Sequence, residues 1–246
     1  MSLSALVQIT DQDAYTTVST QSAELKGQVA STPDGRIFSY THAGASNLAA
    51  GKITSPPNVT ANYVTRTLSV AAAAGANQIT VTLGTTATQD QFKGWNFVVT
   101  DGTGKGQGSY YITGNTAATS GNSNTTVINI RDALNVALDT TSVVGAYPSQ
   151  FSAQIIADHT AAPAVPVSGA PIIAVTATYF YWTQTGGMAS ILQNGTISKN
   201  AGVIASSTTD GAVDTEGTST VTRRVGYMPE AGVSTKYSPT VLTLDY

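Results

Sequence analysis

The stretch Gln91 to Asn115, QFKGWNFVVTDGTGKGQGSYYITGN, holds the residues that come nearest to a chemical motif, since glycines followed by a lysine can cradle phosphate. A phosphate loop of the G-x-x-x-x-G-K-[ST] type needs a hydroxyl after the lysine to hold Mg²⁺. Here Gly106 follows Lys105. The dinucleotide fingerprint fails as well, because Gly102, Gly104, Gly106 and Gly108 alternate strictly and Ser109 stands where the third fingerprint glycine would be. Both loops must also open a helix, whereas Ser109-Tyr110-Tyr111-Ile112-Thr113 is β-branched and aromatic, the composition of a strand. The expected structure is a hairpin or bulged turn punctuated by glycine.

The remaining candidates are sparse. His42 and His159 are the only histidines, one in a presumed strand and one in a proline-rich stretch, and neither has a second histidine or an acid at ligand spacing. Asp158 adjoins His159, but neighbours on an extended chain point apart. Both histidines therefore read as isolated surface residues. Asp11 with Asp13, and Asp214 with Glu216, could hold a loose Ca²⁺, yet neither pair fits the EF-hand series, and both read as solvated loop acids. No G-x-S-x-G elbow occurs, and no pair of carboxylates stands out for glycoside hydrolysis. The expectation is a chain without catalytic residues, metal or cofactor.

Composition indicates what must position any site. Charged residues are 10% of the chain against the usual ~25%, and threonine fills 39 of 246 positions. Threonine favours strands and exposed sheet faces. With 41% hydrophobic residues and a net charge of −3, the chain can bury a core and has no basic footprint for nucleic acid or an anionic membrane. No apolar run reaches the ~18 residues of a membrane span. The first residues, MSLSALVQITDQDAY, lack the cationic segment of a secretory signal. Zero cysteines exclude disulfides and thiolate metal sites.

The chain reads as all-β: two small barrel or sandwich units joined by a Pro-rich connector, with an extended N-terminal arm. Residues 1–26 have no sustained period and read as the arm, able to lie along another subunit. Residues 27–62 hold a hairpin around Pro33-Asp34-Gly35, then turns; alternation puts Phe38, Tyr40 and His42 on one face, Ile37, Ser39 and Thr41 on the other, as in an edge strand. Residues 63–147 form the first β domain, with runs at Leu68 to Val70, Gln78 to Leu83, Trp95 to Thr100, Ser109 to Thr113 and Thr126 to Ile130, and a helical turn at Thr86 to Phe92. Residues 148–171, with Pro148, Pro163, Pro166 and Pro171, read as the connector. Residues 172–246 form the C-terminal β domain. It opens on Ile172 to Thr183, continues through Asn194-Gly195, expected as a type I′ turn, and closes with Thr220 to Tyr227 and Pro239 to Leu244. No internal repeat is evident.

Aromatic residues are the better candidates for recognition. On the strand ending at Thr183, Tyr179 and Tyr181 share one face while Phe180 and Trp182 share the other. Trp95 and Trp182 read first as core residues, and the two tyrosines equally as core or as interface anchors. The candidate interface residues are Tyr15, Tyr40, Trp95, Tyr179, Tyr181 and Trp182.

Three stretches, GRIFSYTHAGASNLAAGKIT, QFKGWNFVVTDGTGKGQGSYYITGN and VTATYFYWTQTGGMASILQNGTI, resemble virion proteins of tailed bacteriophages. The resemblance covers most of residues 27–246. It implies an auxiliary capsid protein, a cement or decoration subunit that is often trimeric, bound to the major capsid protein on the outer surface of the head. In that setting many weak contacts summed over hundreds of copies would brace the shell, and the N-terminal arm would pair with a neighbouring subunit. The alternative is a head-fibre or tail-associated module that binds host-surface carbohydrate.

Overall fold

The computed structural model describes residues 7–21, 24–160, 166–217 and 224–244. Its elements are β1 (Val7–Gln8), α1 (Asp11–Ala14), β2 (Thr17–Val18), β3 (Val29–Ser31), β4 (Ile37–His42), β5 (Thr54–Ser55), β6 (Arg66–Thr67), β7 (Gln78–Thr82), β8 (Asn96–Asp101), β9 (Ser109–Asn115), β10 (Thr125–Ile130), β11 (Val143–Tyr147), β12 (Ile155–Ile156), β13 (Ala170–Pro171), β14 (Phe180–Leu192), β15 (Gly202–Ala205), β16 (Val213–Thr215), β17 (Arg224–Tyr227) and β18 (Tyr237–Thr243). The all-β expectation holds, and the chain divides into two units. One is continuous, Asn58–Ser149; the other combines Met1–Pro57 with Gln150–Tyr246, so the continuous unit is an insertion in its chain.

In the inserted unit β6-β11-β8-β9-β10-β7 form one antiparallel sheet. Leu68, directly after β6, bridges Val81 in β7, and the Ser69 N–H donates to Thr80 O at 3.0 Å, which brings the two edges together into a small barrel. Period-2 alternation supplies the inside: Ile79 and Val81, Phe97 and Val99, Tyr110 and Ile112, and Ile128 and Ile130 are all buried, together with Phe92 and Trp95. The five expected strands are present within a few residues. A sixth, β11, was not foreseen, since Gly145 interrupts its apolar character. Residues 86–92 form turns anchored by the Ala87–Ala118 bridge, without a helix. The glycine-rich loop joins antiparallel β8 and β9, and Gly102, Gly104, Gly106 and Gly108 all take positive φ. It is a hairpin loop, as expected.

The discontinuous unit is built on a ten-stranded sheet with the order β1-β3-β4-β14-β18-β17-β15-β16, in which β2 and β13 also pair with β14. Strand β14 is the spine: β4 runs along its first half and β18 along its second. Three expectations are overturned here. The N-terminal arm, from residue 7 onward where it is described, packs on its own unit: β1 pairs in parallel with β3, a Thr10–Asp13 capping box starts α1, and Ile9 and Ala14 are buried against Phe38, Tyr40 and Trp182. Elements this short leave no period to detect. Strand β4 is interior, with Ser39 and Thr41 buried, because β3 and β14 flank it. The stretch 148–171 is largely part of the fold: β12 pairs with β5, β13 with β14, and Phe151, Gln154, Ala157, Val167 and Ala170 are buried. Residues 161–165 lie outside the described residues. Pro171 is compatible with this packing because it ends the two-residue strand β13, where its carbonyl accepts from the Gly51 N–H at 2.8 Å and no N–H is called for. Residues 27–62 and 172–246 accordingly belong to one unit.

A repeated device sets up the strands. Two stretches lie antiparallel and join through reciprocal backbone bonds at one residue pair: Leu48 with Val175 (2.9 and 2.9 Å), Ala72 with Leu138 (2.9 and 2.8 Å), and Ile197 with Gly232 (3.3 and 2.9 Å). Three residues after the bridge the chain turns left-handed at Gly51, Gly75, Thr178, Asn200 and Thr235. The N–H there donates to the carbonyl four residues before the partner's bridge, respectively Pro171, Leu134, Gly44, Met228 and Gln193, at 2.7–3.0 Å. A strand starts two or three residues later in every case. Asn194-Gly195 belongs to this device and is no type I′ hairpin: only Gly195 has positive φ, and Ile197 bridges Gly232.

Candidate interaction surface

The structure distributes the six candidate aromatics unevenly. Trp95 lies in the barrel core against Phe92, with ring centroids 5.3 Å apart. Trp182 and Tyr40 meet edge to face at 5.1 Å, under the N-terminal segment. Tyr181 is enclosed with Ala43, Leu48 and Val175; burial raises its hydroxyl's pKa far above the ordinary tyrosine range. The alternation along this strand is as expected, but both faces are covered by the same chain. Trp95, Trp182, Tyr40 and Tyr181 are thus core residues and not outward anchors. Tyr179 is partly buried beside the Tyr181 cluster, and Tyr15 alone of the six is well exposed, at 50%.

A different set of side chains forms an outward apolar face. In β14, β18 and β17 the residues Met188, Val241 and Tyr227 stand directly opposite one another across the sheet. Met188 is 53% exposed and Tyr227 42%, while Ala189, Leu242 and Val225 on the reverse face are buried in the core. Pro239 and Tyr237 extend this row along β18; Tyr237 is 50% exposed and sits opposite Leu192. Alternation along β18 contains the signal, since Tyr237, Pro239 and Val241 share one parity. What the sequence lacks is the means to tell that this parity stays exposed among the described residues.

Beside this face lies a groove of about 610 Å³, lined by Tyr15, Arg36, Pro171, Ile172, Met188 and Tyr237 among others. Arg36 is fixed there: Nη2 donates to Asp11 Oδ1 and Nε to Asp34 Oδ2, each at 2.7 Å. Partial burial works against its charge, but the hydrogen bond to Asp34 and the charges of Asp34 and Asp11 hold its pKa above the ordinary value. Gln184 Nε2 donates to the carbonyls of Gly186 and Met188, at 3.0 and 2.9 Å, closing off polar backbone at the groove wall. The result is an apolar trough with one immobilised cation at its rim. A second, smaller pocket of about 320 Å³ has Tyr40, Phe180 and Trp182 as lining aromatics and Gln8, Asp13 and Glu24 among its polar groups.

The titratable candidates are tied into local structure. Asp11 pairs with Arg36, Asp13 caps α1, Asp214 accepts from Asn194 Nδ2 at 2.8 Å, and Glu216 pairs with Arg224. His42 Nε2 lies 3.0 Å from Thr178 O, and its ring sits 4.4 Å from that of Phe180; burial, then the charge of Lys26, lowers its pKa to about 4. His159 is not isolated. Its Nδ1 lies 2.7 Å from Asp210 Oδ1, a partner 51 positions along the chain that sequence spacing could not reveal. Among the described residues no helix is long and apolar enough to cross a membrane. Comparison of the chain with protein-family models, with curated proteins and with solved structures finds no match.

Proposed function

We propose that this chain is a structural binding subunit of a bacteriophage particle, a cement or decoration protein that attaches as a homotrimer to the major capsid protein on the outside of the head. The observation that carries the reading is the outward face of Met188, Tyr227, Pro239, Tyr237 and Val241: large apolar side chains grouped on a rigid sheet fit burial against a partner protein. The charge-poor, threonine-rich composition and the likeness of three stretches to phage virion proteins support a capsid as that partner. Because β1 and α1 pack on their own unit, this face replaces the N-terminal arm as the proposed contact.

The test is the copy number and position of the chain on purified virions, by quantitative mass spectrometry with an electron-microscopy map. Hundreds of copies on the outer shell are expected. A few copies at the tail or at one vertex would overturn the reading and favour the second, a head-fibre or tail module that binds host-surface carbohydrate. That alternative has its own supporting feature, the smaller pocket, where aromatic side chains adjoin polar groups able to bind hydroxyls. A saccharide-dependent change in tryptophan fluorescence would strengthen it.

A further inference from the structure

We propose that Asp158, His159 and Asp210 form a binding site for a divalent transition cation of the Zn²⁺ class. Their potential ligand atoms all lie within 4.8 Å of one another. Two separate loops bring them together: Asp158 and His159 follow β12, and Asp210 lies in the turn between β15 and β16. One backbone bond and one backbone-to-carboxylate bond hold the loops in register: the Gly211 N–H donates to Ala157 O at 2.9 Å and the His159 N–H to Asp210 Oδ1 at 2.9 Å. Asp158 is oriented by the Thr160 N–H and Oγ1, which donate to its Oδ1 at 2.8 and 2.7 Å, leaving Oδ2 for a ligand bond.

The donor set selects the ion. One imidazole nitrogen and two carboxylate oxygens suit Zn²⁺, which takes His and Asp at roughly 2.0–2.2 Å and accepts water as a fourth ligand. Ca²⁺ needs about six to eight oxygens, more than these residues supply. The present 2.7 Å separation of His159 Nδ1 and Asp210 Oδ1 would open to roughly 3.3 Å, the edge of a tetrahedron with such bonds. Ligation through Nδ1 requires the tautomer that carries its proton on Nε2. Two carboxylates also face each other here, and a cation between them would relieve their mutual repulsion. Lys52, whose stem lies against Gly211, brings a positive charge to the same corner and competes with the metal. Bound metal would staple the two loops and so stiffen this corner of the discontinuous unit.

The experiment is calorimetric titration and thermal melting of the full chain with ZnCl₂, with CaCl₂ as the comparator. At a free Zn²⁺ concentration ten times Kd, the melting temperature should rise by roughly 3–6 °C. Asp210→Asn and His159→Gln should each weaken binding at least tenfold, and Lys52→Met should strengthen it several-fold. Asp158→Asn serves where either of the first two fails to fold. No Zn²⁺ response in the unsubstituted chain, a response that survives these substitutions, or preference for Ca²⁺ over Zn²⁺ would overturn the proposal.

Discussion

The two units solve the same β-sheet problem from different stretches of chain, one local and one assembled from both ends. The inserted barrel is made from a continuous stretch, Asn58–Ser149, whose sheet edges meet at Leu68 and Val81, and its large side chains point into one core. The discontinuous unit uses a longer sheet assembled from both ends of the chain: β14-β18-β17-β15-β16 close through the Gln193–Val213 bridge, while β4, β3 and β1 continue beyond β14, with three separate core clusters and apolar residues left facing solvent. Closure removes sheet edges and hides apolar surface. The larger sheet also leaves Met188, Val241 and Tyr227 on one outward face, and the proposed contact belongs there.

The largest expected effect tests the barrel core. Phe97 is fully buried there, so Phe97→Ala should cost about 3–5 kcal/mol and lower a melting transition reported by Trp95, while near-native signals from the other unit persist. A single cooperative loss across both units would break the comparison.

Next comes acid. Folded His42 titrates at about 4 against an ordinary 6.5, so between those values the unfolded chain binds more protons than the folded one. Its contribution is complete above pH 6.5 and is lost as pH falls towards 4. With allowance for partial exposure this amounts to about 1–2 kcal/mol. Denaturant melts at pH 7 and pH 4.5 should show the loss in the discontinuous unit, and His42→Gln should flatten that pH dependence.

Smaller still is the strain in the repeated turn device. Thr178 and Thr235 are β-branched residues with φ of 66° and 63°, a region that costs roughly 1–2 kcal/mol for an L-residue. Thr235→Gly should therefore stabilise the unit by about 1 kcal/mol net of glycine's greater unfolded-state entropy, readable as a raised denaturation midpoint. An unchanged or lower midpoint would show that the turn is not strained. The smallest effect on stability belongs to the proposed contact face: Met188→Glu and Tyr227→Glu should shift stability by no more than about 0.5 kcal/mol, as surface substitutions do, yet abolish attachment to heads lacking this chain. Retained attachment would sharpen the contrast differently, by moving recognition elsewhere on the molecule.

Much of this fold is readable in the sequence where the information is local. Ile79 to Thr82 alternates cleanly, a period that follows from strand geometry alone, and Phe97 to Thr100, Ser109 to Thr113 and Thr126 to Ile130 read as strands from their β-branched and aromatic residues. The alternation of Tyr179 to Trp182 was equally legible, as was the glycine loop as a hairpin. The turn device was not, because its bridged partners lie 35 to 127 positions apart, as with Ile197 and Gly232 or Leu48 and Val175, and its main demand is a residue tolerating positive φ. Glycine, asparagine and threonine all meet it here, so no repeat shows in the letters.

By itself, then, the sequence determined an all-β chain with low charge, its main strands and which residues share a strand face. Only the tertiary structure decided which of those faces are covered. That choice depends on pairing between distant segments: β4 with β14 buries Tyr40 and Trp182, whereas β14, β18 and β17 leave Met188, Val241 and Tyr227 facing outward. The same long-range pairing brought Asp210 to His159. Alternation is a property of a few consecutive residues, but burial and ligand convergence are properties of the closed loops between them.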